Sequence, residues 1–134
     1  MKYHSKPTTI GNIRFASKLE ADRYRQLCMM AQVDPPLISD LELQPEFQVS
    51  EGYIDPATGE KVKSIFYVAD FKYTDNEEHK VIVEDTKGVE TAEFKLKWKL
   101  VRKKYKQFEF RKLTRMWPQM EGHSFCLLGY GSIP

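Results

Sequence analysis

The sequence has few cysteines and no long apolar run, which argues against a disulfide-rich protein and against a membrane-spanning protein. Its two cysteines, Cys28 and Cys126, lie far apart in helix-like and strand-like contexts and fit no metal-binding spacing. We therefore expect buried thiols in a reducing compartment. No apolar run approaches the ~18 residues of a membrane span, and the N-terminus lacks the apolar region of a signal peptide. A cytoplasmic protein with no membrane partner is expected.

The length and composition predict a single folded domain that spans residues 1–134. Apolar residues make up 41% and aromatic residues 13%, enough for a core, and the charged fraction of 30% is typical of a folded protein. Residues 1–10 are expected to form a polar N-terminal arm. Residues from about 115 onwards form a C-terminal extension to which the sequence assigns no role.

The charges are unevenly distributed, although the net charge is only +2. Residues 87–115 carry 11 Lys and Arg against 3 Asp and Glu, whereas residues 34–86 carry 4 against 13. A basic segment beside an acidic one is typical of a protein that binds phosphates on one surface and a metal on another. The alternative is that these charges only form solvated helix and loop faces.

The hydrophobic pattern predicts an α/β fold, bordering on α+β, with the order α-β-β-β-α-β. The first helix begins at Ser17, which forms a capping box with Glu20, and its buried stripe leaves Lys18, Arg23 and Arg25 outside. The strand predicted at 61–73 is apolar on both faces, so we expect it to be central in the sheet and covered on both sides. The predicted strands are 38–50 with a bend at Pro45, 61–73 with a hairpin tip before it, 80–86, 108–114 and a possible last one at 125–128, and the second helix spans 91–105.

Two apolar strands end in carboxylates, Asp70 and Asp85, and Lys87 follows on the same face as Asp85. Two carboxylates ~4 Å apart repel by ~4 kcal/mol at an effective dielectric constant near 20, a penalty that a bound cation removes. Mg²⁺ is held by such oxygen ligands together with waters and phosphate oxygens. The pattern therefore predicts a divalent-metal site that hydrolyses phosphodiesters, with Lys87 orienting water and stabilising charge. The alternative is that both acids are surface residues and Lys87 is only an ion-pair partner.

The spacing of Asp70 and Asp85-Thr86-Lys87 resembles the D…(D/E)xK signature of the PD-(D/E)XK nuclease superfamily. Ala69-Asp70 stands where many members have Pro-Asp, and the second motif is the Asp-x-Lys version. Further stretches across residues 2–112 are similar to one small phage-encoded family within that superfamily. These stretches are Lys2-Tyr3-His4, residues 15–24, residues 38–45, residues 67–71 and residues 83–88.

This resemblance implies a restriction-endonuclease-like core, with a mixed central sheet flanked by helices, and Mg²⁺-dependent DNA cleavage in which Mn²⁺ can substitute. No small-molecule cofactor is implied. The resemblance also implies that Glu20 is a further metal-site carboxylate, as in archaeal Holliday-junction resolvases. The rival role of Glu20 is its place in the capping box with Ser17.

The expected function is structure-specific endonuclease activity on branched DNA such as Holliday junctions, in phage recombination, replication or packaging. A homodimer would allow two sites to cut two strands symmetrically, and the expected location is then the cytoplasm of the host cell. The alternatives are a non-specific or nicking nuclease, a catalytically inactive DNA-binding accessory protein, and a structural protein whose acids only satisfy caps and loops.

The basic second helix is the expected DNA contact, with affinity that depends strongly on salt. Arg14, Lys18 and Arg23 are weighed as further phosphate contacts against a solvated face. We interpret Trp98 as a core residue and Trp117 as a wedge or dimer contact. Glu84 points away from Asp85 and is interpreted either as a residue that supports the metal ligands from behind or as a structural residue. The predicted DNA-binding residues are Lys95, Lys97, which could also face the site, Lys99, Arg102 and Lys103.

Overall fold

The computed structural model describes residues 6–114, which form a mixed α and β structure. The predicted order is too simple, because in these residues two strands precede the first helix and seven strands lie between the helices. The elements are β1 Thr8–Ile10, β2 Ile13–Phe15, α1 Lys18–Gln32, β3 Ile38–Leu43, β4 Glu46–Ser50, β5 Tyr53–Ile54, β6 Lys61–Val62, β7 Ile65–Val68, β8 Phe71–Asp75, β9 Lys80–Lys87, α2 Ala92–Lys104 and β10 Glu109–Thr114.

The largest sheet has four strands in the order β10-β9-β8-β3. β8 and β9 form an antiparallel hairpin, and β3 pairs antiparallel with the other edge of β8. β10 pairs parallel with β9. Because a parallel pair needs a crossover of a dozen or more residues, the segment containing α2 lies between these two strands.

Both helices begin at side chains that cap their free N–H groups. The Ser17 hydroxyl accepts a hydrogen bond from the Glu20 N–H at 3.1 Å, and the Thr91 hydroxyl accepts one from the Phe94 N–H at 3.1 Å. Each cap satisfies a donor that has no partner inside its helix. The predicted starts of both helices are thereby confirmed. Neither helix in the described part of the chain is long and apolar enough to cross a membrane.

The two helices pack on opposite faces of the sheet. Neighbouring residues of a strand point to opposite faces, and Ile82 and Val83 of β9 belong to different core clusters. The first cluster contains Phe15, Ala21, Leu27, Ile38, Phe71, Tyr73 and Ile82; the second contains Phe47, Tyr67, Ala69, Val83, Phe94, Trp98 and Val101. The interpretation of Trp98 as a core residue is therefore confirmed.

The expected long central strand over residues 61–73 is wrong, because it is interrupted twice. β7 leaves the main sheet and pairs with β4 as a two-stranded ribbon. Phe66 and Val68 are 42% and 48% exposed, so the second face of this segment is not covered. The predicted bend at Pro45 is confirmed: Gln44 has a φ of 52°, and β3 and β4 on either side belong to different sheets.

Other expectations fall partly outside the described residues. Residues 8–10 of the expected N-terminal arm form β1, which pairs with β2. The rest of the arm up to residue 5, the C-terminal extension from residue 115, Trp117 and the possible strand at 125–128 lie outside the part of the chain that the structure describes.

Candidate active site

Asp70 lies at the junction between the β4–β7 ribbon and the four-stranded sheet, and its backbone and side chain are both fixed there. Its N–H donates to the Glu84 carbonyl at 3.1 Å, and its own carbonyl accepts from the Gln44 N–H at 2.9 Å. One carboxylate oxygen, Oδ2, accepts from the N–H and from the hydroxyl of Thr86, both at 2.7 Å. Charge-assisted bonds of this kind hold the Asp70 carboxylate toward the end of β9.

Asp85 and Lys87 lie on the face of β9 that α2 covers, as their alternation predicts. Asp85 is 1% exposed, and the Tyr67 hydroxyl donates a hydrogen bond to its Oδ2. Lys87 Nζ lies 3.7 Å from Asp85 Oδ1 and 4.6 Å from the centre of the Phe94 ring. The lysine that the sequence pairs with Asp85 is therefore beside it in space.

Glu20 projects from the first turn of α1 and is only 6% exposed. Its N–H completes the Ser17 cap, while its carboxylate accepts a hydrogen bond from the backbone of Ala16. A cavity of about 130 Å³ has both Glu20 and Asp70 in its lining. Glu20 therefore takes part in capping and also belongs to the carboxylate cluster, so its two proposed positions are compatible.

The pKa values of two of these carboxyl groups are strongly raised. Burial, followed by repulsion from Asp70, raises the pKa of Glu20 from 4.5 to about 7, while the Ala16 hydrogen bond and Lys87 act against the rise. Burial and then Asp70 also raise the pKa of Asp85 from 3.8 to about 8, against the Tyr67 hydrogen bond and the Lys87 charge. Lys87 alone does not offset three neighbouring carboxylates, so the site favours protons or an added cation.

The donor set fits a hard divalent cation. The charge of Asp70 contributes to the raised pKa of Asp85, so the two carboxylates lie near each other, and Mg²⁺ is commonly held by one or two carboxylates with waters and phosphate oxygens. Among residues 6–114, no three His, Cys, Asp or Glu side chains are already arranged around one ion position. A metal held here would therefore rest on Asp70 and Asp85, with Glu20 as the nearby third carboxylate.

Glu84 points to the opposite face of β9, as predicted, and is fully buried there. Arg23 donates two hydrogen bonds to it, Nε to Oε1 at 2.8 Å and Nη2 to Oε2 at 2.6 Å, and the Tyr73 hydroxyl donates to Oε2. The placement of Arg23 outside the buried stripe, as a phosphate contact or part of a solvated face, is wrong, because Arg23 is 7% exposed and its guanidinium binds Glu84. Periodicity alone treats arginine as a surface residue and cannot detect a buried partner.

The predicted DNA-binding residues lie on α2, but they are not equivalent. Lys95, Lys99 and Lys103 are exposed. Lys97 is half-buried, and its Nζ forms an ion pair with Glu93 on the same helix at 2.9 Å. The Arg102 guanidinium lies 5.6 Å from the centre of the Trp98 ring.

Of the remaining weighed contacts, Lys18 pairs with Asp22 on the surface of α1, and Arg14 is exposed on β2 beside the cavity. Arg14 lines the same cavity as Glu20 and Asp70.

Three residues at the site were missed by the sequence analysis. Tyr67 and Thr86 hold the two aspartates; their only signal is their position within three residues of Asp70 and next to Asp85. Lys112 of β10 lies opposite Asp85 in the parallel register, and its Nζ is 5.9 Å from the Phe94 ring that Lys87 also covers. Strand pairing at this distance in sequence is decided by the fold, so no local pattern reveals Lys112.

The chain belongs to the family described as a protein of unknown function (DUF1064), whose match spans residues 1–119. All four clustered residues and both helices fall within that match. No curated protein and no solved structure matches the chain.

Proposed function

We propose that this member of the DUF1064 family is a Mg²⁺-dependent DNA endonuclease of the PD-(D/E)XK type. The observation that carries the proposal is the convergence of Glu20, Asp70, Asp85 and Lys87, which come from α1, the β7–β8 junction and β9. Two of the three carboxyl groups have pKa values raised to about 7 and about 8 by burial and by Asp70. Perturbed carboxyl groups clustered in this way are typical of functional sites.

Each residue has a role in this proposal that follows from its surroundings. Asp70 and Asp85 would hold Mg²⁺, with Thr86 and Tyr67 fixing their carboxylates, and Glu20 would be an auxiliary ligand. Bound there, Mg²⁺ would stabilise charge on the scissile phosphate and lower the pKa of a water. Lys87 would orient the attacking water and donate to a phosphate oxygen, from a position 3.7 Å from Asp85.

DNA is the proposed substrate because a basic surface adjoins the site. Lys95, Lys99 and Lys103 are exposed on α2, and Lys112 lies across the strand pair from Asp85. Lysines placed in this way bind the phosphate backbone without reading its sequence. Branched DNA as the preferred substrate, a homodimer and a place in the cytoplasm of a phage-infected host remain part of the proposal.

The test is cleavage of linear, nicked, single-stranded and four-way-junction DNA with Mg²⁺ by matched variants. Asp70→Asn is compared with Asp75→Asn, because these two acids lie at opposite ends of β8. Lys87→Ala is compared with Lys80→Ala at the other end of β9, where Lys80 pairs with the surface acids Glu78 and Glu109. We expect Asp70→Asn and Lys87→Ala to lower the cleavage rate at least ~100-fold and the two controls to leave it unchanged.

The outcomes separate the proposal from its rivals. Equal cleavage by the wild type, Asp70→Asn and Lys87→Ala would contradict the assignment of the site. Binding of DNA without cleavage, with Mg²⁺ and with Mn²⁺, would favour an accessory DNA-binding protein. Equal rates on all four DNAs would favour a non-specific or nicking nuclease over a structure-specific one.

A further inference from the structure

The buried pair of Arg23 and Glu84 connects the elements that carry all three carboxylates. Arg23 lies three residues after Glu20 on α1, so both side chains project from one side of the helix. Glu84 immediately precedes Asp85 on β9, and its carbonyl accepts the Asp70 N–H at 3.1 Å. One ion pair therefore lies between the helix of Glu20 and the strand segment to which Asp70 and Asp85 are attached.

The geometry of this pair is more restrictive than stability alone requires. The two parallel hydrogen bonds, at 2.8 and 2.6 Å, fix the orientation of the guanidinium as well as its distance. Tyr73 donates to Glu84, and Arg23 also donates to Gln26 at 2.8 Å, so the polar atoms are engaged. Buried ion pairs are often no more stabilising than apolar residues of similar size, and a role in geometry accounts for such a pair better than stability does.

We propose that Arg23 and Glu84 are positioning residues that set the rotation and height of α1 on β9 and thereby hold Glu20 against Asp70 and Asp85. The inference rests on the proposed metal site. It goes beyond that site because it assigns a role to Arg23 and Glu84, whose side chains meet on the face of the sheet opposite to Asp85. Partners of metal ligands that orient them typically affect metal affinity by about 10- to 100-fold.

The test compares Mn²⁺ affinity, measured by calorimetric titration, in the wild type, Arg23→Lys, Glu20→Gln and the double variant. Arg23→Lys keeps the charge but loses the two-pronged contact. We expect about a tenfold weaker affinity for Arg23→Lys and a similar loss for Glu20→Gln. The double variant should be no weaker than Glu20→Gln alone, because the ion pair acts through Glu20.

A second variant removes the whole polar group together: Arg23→Met, Tyr73→Phe and Glu84→Met. We expect it to unfold cooperatively near the wild-type melting temperature, yet to bind Mn²⁺ and to cleave DNA at least tenfold less well. Wild-type affinity in a folded Arg23→Lys or triple variant would overturn the positioning role and leave the proposed nuclease intact. An additive loss in the double variant would likewise overturn it, whereas a wild type that binds no Mn²⁺ would remove both proposals.

Discussion

Raising the pH without divalent metal should destabilise the folded protein, because two buried carboxyl groups would have to ionise next to Asp70. Burial and the Asp70 charge raise the pKa of Glu20 from 4.5 to about 7 and that of Asp85 from 3.8 to about 8. Well below their ordinary pKa values of 4.5 and 3.8, both groups are protonated in the folded and the unfolded state. As the pH rises further, the unfolded chain releases protons that the folded state retains, so stability falls until about pH 8 and then levels off.

The size of this stability loss follows from the pH range between the pKa of each group in the unfolded chain and its pKa in the folded protein. Each pH unit in which a group is protonated only in the folded state lowers the free energy of unfolding by about 1.4 kcal/mol. For Glu20 the window gives about 3 kcal/mol, and for Asp85 it gives about 6 kcal/mol. Above pH 5 these windows cover about 2 pH units for Glu20 and about 3 for Asp85, which correspond to about 3 and about 4 kcal/mol. Because both shifts include repulsion from Asp70 and solvent partly screens Glu20, the two contributions do not add fully, and we expect a total loss of about 4 to 6 kcal/mol between about pH 5 and pH 8.5.

Glu84 does not mask this loss. Its burial acts to raise its pKa, but attraction to Arg23 prevails and lowers the pKa below its ordinary value of 4.5. Glu84 therefore contributes stability that is present above about pH 4.5 and is lost only in more acidic solution. The descending part of the stability curve, above pH 5, belongs to Glu20 and Asp85.

Urea unfolding at about pH 5.5, 7 and 8.5, in EDTA and in Mg²⁺, measures the effect. Mg²⁺ should restore stability at the highest pH and do little at the lowest, because it binds ionised carboxylates. Glu20→Gln should make the pH dependence shallower, whereas Asp22→Asn, at an exposed acid on the same helix, should leave it unchanged. A flat or rising stability over this range, or equal slopes for the two variants, would refute the reasoning.

The other predictions concern packing, capping, the buried ion pair and DNA binding. Trp98→Ala should lower the free energy of unfolding by about 3–5 kcal/mol through the cavity it leaves, and Thr91→Ala by about 1 kcal/mol through the lost cap; both are measured by urea unfolding. Arg23→Met alone should cost about 3–5 kcal/mol in the same assay, because it leaves Glu84 buried without its partner, and an effect under 1 kcal/mol would contradict that account. Lys95→Ala with Lys99→Ala should weaken DNA binding and reduce the slope of log affinity against log salt by about one per lysine, whereas Lys61→Ala, on the β5–β6 hairpin, should change neither.

Much of the fold could be predicted because its signals are local. Ser17 and Thr91 supply helix caps, Gly88 ends β9, and the period of the apolar residues in α2 identifies its buried face. The strand pairing could not be predicted where it depends on contacts between residues distant in sequence. The residues from 61 to 73 look like one strand, yet β7 pairs with β4 and β8 with β9, and the exposed Phe66 is the consequence.

By itself, the sequence determined which residues are candidates for chemistry and that Asp85 and Lys87 share a face, because strand alternation is a property of the backbone. Only the tertiary structure decided that Glu20 reaches Asp70, that Tyr67 and Thr86 hold the aspartates, and that Lys112 lies beside Asp85. It also decided that Arg23 is buried against Glu84. These contacts join residues 16 to 61 positions apart, and their existence depends on how two helices and a sheet pack, which no local pattern encodes.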